Sequence, residues 1–191
     1  MNQTGRSMIE MLGVLAIIGV LSLGGLTGYS KAMTRFKTNA TIEAMLTIAA
    51  NVKTMTLRLK NYSNIDKAAI KMKAIPDKLL TADKKNLGIN AFGGSVDVKE
   101  FGDRSFYVAM SGLPKDVCLE IATKDFGNAV IYAGGETFNA SNVGISTTTN
   151  LKVASPACGS NYCIKKIMSP SIAASACSCT APTCSVAIIM Y

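Results

Sequence analysis

Histidine is absent from all 191 residues. That removes the usual general base at neutral pH and leaves little room for acid-base catalysis. The acids do not fill the gap. Asp97, Glu100, Asp103, Asp116, Glu120, Asp125 and Glu136 are dispersed, without paired or ligand-like spacing, and read as surface solvation. No phosphate-cradling glycine loop is present, since Gly93-Gly94 and Gly134-Gly135 read as turns. The missing histidine also weighs against a zinc site, and the close cysteine spacings, Cys-x4-Cys and Cys-x-Cys, differ from the paired Cys-x2-Cys knuckles of structural zinc. No enzyme activity, metal or cofactor is expected.

Cysteine is absent from the first 117 positions and then occurs six times, at Cys118, Cys158, Cys163, Cys177, Cys179 and Cys184. An even number gathered in a loop-rich tail, behind an export-type N-terminus, points to disulfides formed in an oxidising compartment outside the cytoplasm. Six cysteines permit fifteen pairings, so spacing alone leaves the connectivity open.

Charge is absent from Met11 to Leu26, and proline from the whole chain before Pro76. What stands there is an apolar helix: Met8 to Tyr29 would reach about 30 Å at 1.5 Å per residue, enough to cross the hydrocarbon core of a bilayer. Glu10 opens this segment. An acid inside a membrane is costly, by about 2.5 to 3.5 kcal/mol at mid-depth and less near the edge, and calls for a named partner. A secretory signal ending near Ser22-Leu23-Gly24 or a plain anchor leaves Glu10 unexplained. A short leader, Met1 to Gly5, supplies the partner: cutting after Gly5 frees the amine of Arg6, four residues and one helical turn from Glu10. Offered between neighbouring copies, amine and carboxylate neutralise each other in a low-dielectric bundle and fix the axial register.

Beyond the apolar half the helical pattern continues. Ile42, Met45, Leu46, Ala49, Val52, Met55 and Leu59 recur at steps of three and four, predicting an amphipathic continuation to about Lys60 that lies on a core. Gly24-x3-Gly28 has the spacing of close helix approach. Residues 31 to 85 carry twelve basic against four acidic side chains, a belt suited to anionic lipid, nucleic acid or acidic neighbours. Nucleic acid is possible but not favoured, because no aromatic residues interleave with the lysines as a single-strand platform requires.

Further on, Asn64 is placed to cap a short helix over Ile65 to Lys73, Pro76 ends it, and a second short helix follows through Leu80. Asn90-Ala91-Phe92-Gly93-Gly94 reads as a turn. Val96 with Val98, Phe106 to Met110, Ala129 to Tyr132 and Ser185 to Met190 read as strands, and Pro114 to Phe126 as a helix with proline in its first turn. Residues 134 to 184, rich in Gly, Ser, Thr, Asn and Cys, predict irregular loops held by disulfides.

The run Gly5-Arg6-Ser7-Met8-Ile9-Glu10-Met11-Leu12-Gly13-Val14-Leu15-Ala16-Ile17-Ile18-Gly19 resembles the prepilin signature of type IV pilins and type II secretion pseudopilins. Asn90 to Gly94, Phe106 to Pro114 and Val117-Cys118 resemble the type IVb branch. The resemblance implies an α+β pilin fold. In it a long N-terminal helix, membrane-spanning in its first half, packs on an antiparallel β-sheet head with a disulfide-bonded C-terminal region. It divides the chain into a leader (1–5), a helix (6–60, of which 6–29 spans the membrane or fills the filament core and 30–60 is amphipathic) and a head (61–191). A prepilin peptidase would cut between Gly5 and Arg6 and methylate the new amine, and Glu10 would guide subunit addition. Cys118 would bridge to Cys177, Cys179 or Cys184, with Cys158 to Cys163 as a local bridge.

The function implied is that of a structural subunit held in the inner membrane and then polymerised, with the pilus assembly machinery, into an extracellular helical filament of identical copies. Rival readings are a secretion pseudopilin and a minor pilin that binds DNA or a surface. Two features depart from the family: Arg6 stands where Phe, Met or Leu is usual, and the leader is short, with no basic residue before Gly5.

Overall fold

A computed structural model describes residues 4–56, 62–101, 105–138, 162–165 and 168–190. The chain divides into two units, Met1–Lys37 and Thr38–Tyr191.

The described residues of the first unit, 4–37, all lie in α1, a 53-residue helix over Thr4–Thr56. No proline interrupts it, and its residues up to Tyr29 are apolar on every side, so no stripe tells this part which way to face. The helix begins two residues before the expected position 6. The expected end near Lys60 lies outside the described residues.

In the second unit α1 becomes two-faced. Thr38, Thr41, Ala44, Met45, Ile48, Ala49, Val52 and Thr56 are buried at helical spacing. This stripe is rotated from the one the apolar pattern predicted: Leu46 is exposed, and Ile42 and Met55 are only half-buried. Threonine and alanine occupy the buried face because small side chains let a helix lie close to a packed layer. Threonine can also satisfy its own hydroxyl, as Thr56 does by donating to the Val52 carbonyl at 2.7 Å.

The sheet has five strands, β1 (Val96–Glu100), β2 (Phe106–Pro114), β3 (Val130–Gly134), β4 (Tyr162–Lys165) and β5 (Thr183–Met190). They lie in the order β1-β2-β5-β3-β4, and every pair is antiparallel. The last strand of the chain is thus central. Alternation divides β2, β5 and β3 into two buried faces. One carries Phe106, Val108, Met110, Val186, Ile188, Ile131 and Ala133, in one cluster with Met45, Ile48 and Val52 of α1. The other carries Tyr107, Ala109, Ala187, Ile189, Val130 and Tyr132. Phe138 lies over that second face, its ring 4.6 Å from Tyr107 and 4.7 Å from Tyr132 between centroids. Register makes the rows: Tyr107 opposes Ile189, which opposes Val130, and Val108 opposes Ile188, which opposes Ile131.

Shorter elements fill the connections. α2 (Ile65–Lys71) begins after Asn64, but not by the expected side-chain cap. Asn64 has a left-handed backbone, φ 55°, its side chain makes no capping bond, and its carbonyl accepts from Ala68 at 3.1 Å. Asparagine tolerates that backbone region better than most residues. A 3-10 turn follows at Asp77–Leu79. α3 (Lys115–Ala122) starts directly after Pro114 and buries Val117, Cys118, Ile121 and Ala122.

Within 134–184, expected to be irregular, the structure forms β4 and α4 (Pro170–Ala176). β4 exists because the edge of β3 offers unpaired backbone groups, a cause no local pattern reveals. α4 has proline at its first turn and buries Ala173 and Ala176.

Candidate functional site

Along the first unit of α1 the apolar surface is left open among the described residues. Among the described residues of this unit, twelve large apolar side chains between Met8 and Leu26 are exposed, from 53% at Ile18 to 73% at Ile9. Burying each would gain roughly 1.5 to 3 kcal/mol, so together they hold on the order of 20 to 35 kcal/mol of unspent apolar burial. That exceeds the 5 to 15 kcal/mol that holds a typical domain folded, so this surface must have a lipid or protein partner. It is also the only segment among the described residues long and apolar enough to cross a membrane.

Glu10 is exposed within this surface. Gly5 and Arg6 lie in the helical first turns of α1, and the rise between Arg6 and Glu10 is about 6 Å along the axis. A free amine at Arg6 would therefore be one turn from the carboxylate of its own chain and equally available to another copy. Gly24 and Gly28 have nothing within 4 Å of where a side chain would start, so this stretch of helix is a bare strip. Thr27 keeps its hydroxyl out of the way by donating to the Leu23 and Gly24 carbonyls at 3.1 and 3.0 Å.

The cysteines gather at the C-terminal end of the sheet. Cys118 of α3 is joined to Cys177, which ends α4, with Cα atoms 5.9 Å apart. Cys179 is joined to Cys184, the second residue of β5. The three candidates for Cys118 are thus resolved by the other two pairing with each other. Cys118–Cys177 ties α3 to the end of α4, and Cys179–Cys184 ties the chain just after α4 to the start of β5. Cys158 lies outside the described residues. Cys163 stands in β4 opposite Tyr132.

The turn Asn90 to Gly94, expected from its composition, is a clasp on β2. Asn90 donates through Nδ2 to the Ser111 carbonyl at 2.7 Å, while its Oδ1 accepts from the backbone N–H groups of Phe92 at 2.8 Å and Gly94 at 3.2 Å. Ser95 and Ser111 share a hydroxyl bond of 2.7 Å. Gly112, at φ 67°, sits at the irregularity between Met110 and Leu113, where β2 shifts register against β5. Sequence reading named Asn90 to Gly94 as a turn and Ser111-Gly112 within the family-like run without seeing that they meet; the signal was a glycine pair just before β1 and a glycine inside β2.

Charged and polar groups elsewhere are arranged structurally. A cleft of about 560 Å³ is lined by Lys67, Lys71, Lys84 and Lys85 with Asp66, around Ile70 and Leu87. Asp77 is held below the ordinary carboxylate range by its hydrogen bond and charge pairing with Lys84, 2.6 Å away. Burial pushes the Tyr107 phenol up to about 12, with the nearby Asp97 charge adding to the effect. Among the described residues no group of acids and cysteines is placed to hold a metal ion.

A model of the PilS N-terminal family matches residues 35–184. The chain belongs to the PilS N-terminal family. The match begins just as α1 acquires its buried face, so it covers the head and not the apolar first unit. Two solved structures share the fold. One is a type IV b pilin from Salmonella typhi, at 15% identity and a TM-score of 0.50 over 77% of this chain and 95% of that one. The other is TcpA, a type IV pilin from Vibrio cholerae El Tor biotype, at 16% identity and a TM-score of 0.56 over 81% of this chain and 99% of that one. The head therefore has the type IV pilin fold, with the helix, antiparallel sheet and disulfide-bonded C-terminal region that the sequence predicted. No curated protein matches by sequence.

Proposed function

We propose that this chain is the structural subunit of an extracellular type IV pilus, stored in the inner membrane and polymerised through α1 after a cut between Gly5 and Arg6. The observation that carries this is the first unit of α1, an apolar surface with one acid at its start and exposed among the described residues. Lipid covers it before assembly, and the same helix of other copies covers it in the filament. Exchange between the two apolar environments costs little, which lets a subunit leave the membrane. Glu10 and the new Arg6 amine set which copies join and at what height. Prepilin peptidase is the partner that makes the amine, and the assembly machinery the one that draws subunits from the bilayer.

Electron microscopy of cells with and without this chain, joined to mass spectrometry of sheared surface material, tests the proposal. The expected result is a fibre that depends on the chain and a mature N-terminus at Arg6. Unchanged fibres in its absence, or a mature start near Gly25, would overturn it.

A further inference from the structure

Between the end of the apolar span and the start of the buried face, α1 carries a short, mostly exposed stretch. Tyr29, Met33 and Phe36 follow steps of four and three along one side of the helix, and all three are exposed, Tyr29 at 64% and Phe36 at 71%. Lys31 and Arg35, four residues apart, share the other side and are exposed too. The buried face begins only at Thr38. Aromatic side chains beside a cationic pair, directly after an apolar span, are groups that anchor the end of a spanning helix in the membrane interface.

Length agrees with this. From Met11, where the charge-free run begins, Tyr29 is about 27 Å and Phe36 about 38 Å along the helix at 1.5 Å per residue. A bilayer is about 30 Å thick in its hydrocarbon and about 40 to 45 Å with its headgroups. With about 5 to 8 Å of headgroups on each side, the stretch runs from the outer acyl boundary at Tyr29 through the headgroup layer to Phe36.

The charge distribution calls for an anion there. With the N-terminus in the cytoplasm, the inner flank offers Arg6 beside Glu10, and the outer flank carries Lys31 and Arg35 with no acid between Glu10 and Glu43. Cations on the outer flank run against the usual positive-inside bias, so they are exported at a cost that an attraction on that side offsets. We propose that Tyr29 to Phe36 forms a collar that docks on anionic phospholipid at the outer face of the inner membrane. Lys31 and Arg35 bind lipid phosphates, while Tyr29 lies at the acyl boundary and Met33 and Phe36 lie among the headgroups. The collar holds the stored subunit at a fixed depth until it is extracted. This rests on the spanning reading of α1 given above.

The chain has no tryptophan, so one introduced tryptophan is a clean reporter. The full chain carrying Tyr29→Trp would be reconstituted in mixed phosphatidylglycerol and phosphatidylcholine vesicles. Either lipid in turn would be brominated near the headgroup end of its acyl chain. Quenching should be stronger when the anionic lipid carries the bromine. That preference should fall by up to roughly five-fold for each of Lys31→Gln and Arg35→Gln, and fall with added salt. Equal quenching by the two lipids overturns the collar. An emission that follows protein density instead of lipid charge assigns the stripe to a second copy and also overturns it. A Leu15→Trp reporter separates the underlying reading. If it is quenched by bromine deep in the acyl chain, the span is in the bilayer and the collar alone is judged. If it stays in water, the spanning reading falls and the collar with it.

Discussion

A methyl group added at Gly94 would lie 1.8 Å from the Ser111 carbonyl oxygen and 2.8 Å from the Gly112 Cα. Both neighbours are backbone, so no side chain can turn aside to make room. At Gly93 the constraint is of another kind: φ is 85°, but nothing lies within 4 Å of an added Cβ. Gly94→Ala should therefore cost about 2 to 4 kcal/mol, because a strand must move, and Gly93→Ala about 1 kcal/mol, for backbone strain alone. Denaturant unfolding of the two variants in detergent would measure the difference. Equal costs would refute a backbone-to-backbone clasp at Gly94 and Gly112. The stakes are structural and reach β5 indirectly, since the clasp holds β2 at the point where it slips register against that strand.

Elements differ in how much of them the sequence disclosed. The first unit of α1, β2 and β5 were legible because each carries a long, unmixed apolar signal. The buried stripe of α1 was partly misread because Thr38, Thr41 and Thr56 count as polar in a pattern, yet they bury where a helix must lie close. β4 was invisible: Tyr162 to Lys165 is four residues long and exists through its pairing with β3. Disulfide pairing was equally out of reach of spacing, as it depends on α4, itself unforeseen, ending beside α3. The two bridges should then matter unequally. Cys118–Cys177 spans 59 positions and Cys179–Cys184 only 5, so loop closure assigns them about 4 and about 2 kcal/mol. Paired Cys118→Ser and Cys177→Ser substitutions should lower stability about twice as much as Cys179→Ser with Cys184→Ser, measured as unfolding free energy under non-reducing conditions. The reverse order would mean that local clamping of β5 matters more than the long loop.

At the scale of the whole molecule, Glu10 has no role that a single chain can display. It is exposed, and the group proposed to meet it, the amine of Arg6, belongs to another copy and exists only after a cut. Replacing it by alanine acts on assembly in two ways with the same sign. The pairing that would set subunit register is lost. The helix also becomes more content in lipid, by at most about 3 kcal/mol, on the order of a hundred-fold in partition, because the acid was the one group the bilayer resisted. Glu10→Ala should therefore abolish filaments while leaving full-length, membrane-held protein at its normal level. The head should melt at its usual temperature, since the first unit of α1 and the head are separate packing units. Glu10→Gln separates the two causes: it relieves most of the lipid penalty but keeps a hydrogen-bond acceptor, so partial filament formation would assign weight to geometry, and none to charge neutralisation. Immunoblots of sheared and membrane fractions, read beside the melting curves, would measure all of this. Normal piliation by Glu10→Ala would remove the acid from the assembly mechanism, and its cost in the membrane would again lack a reason.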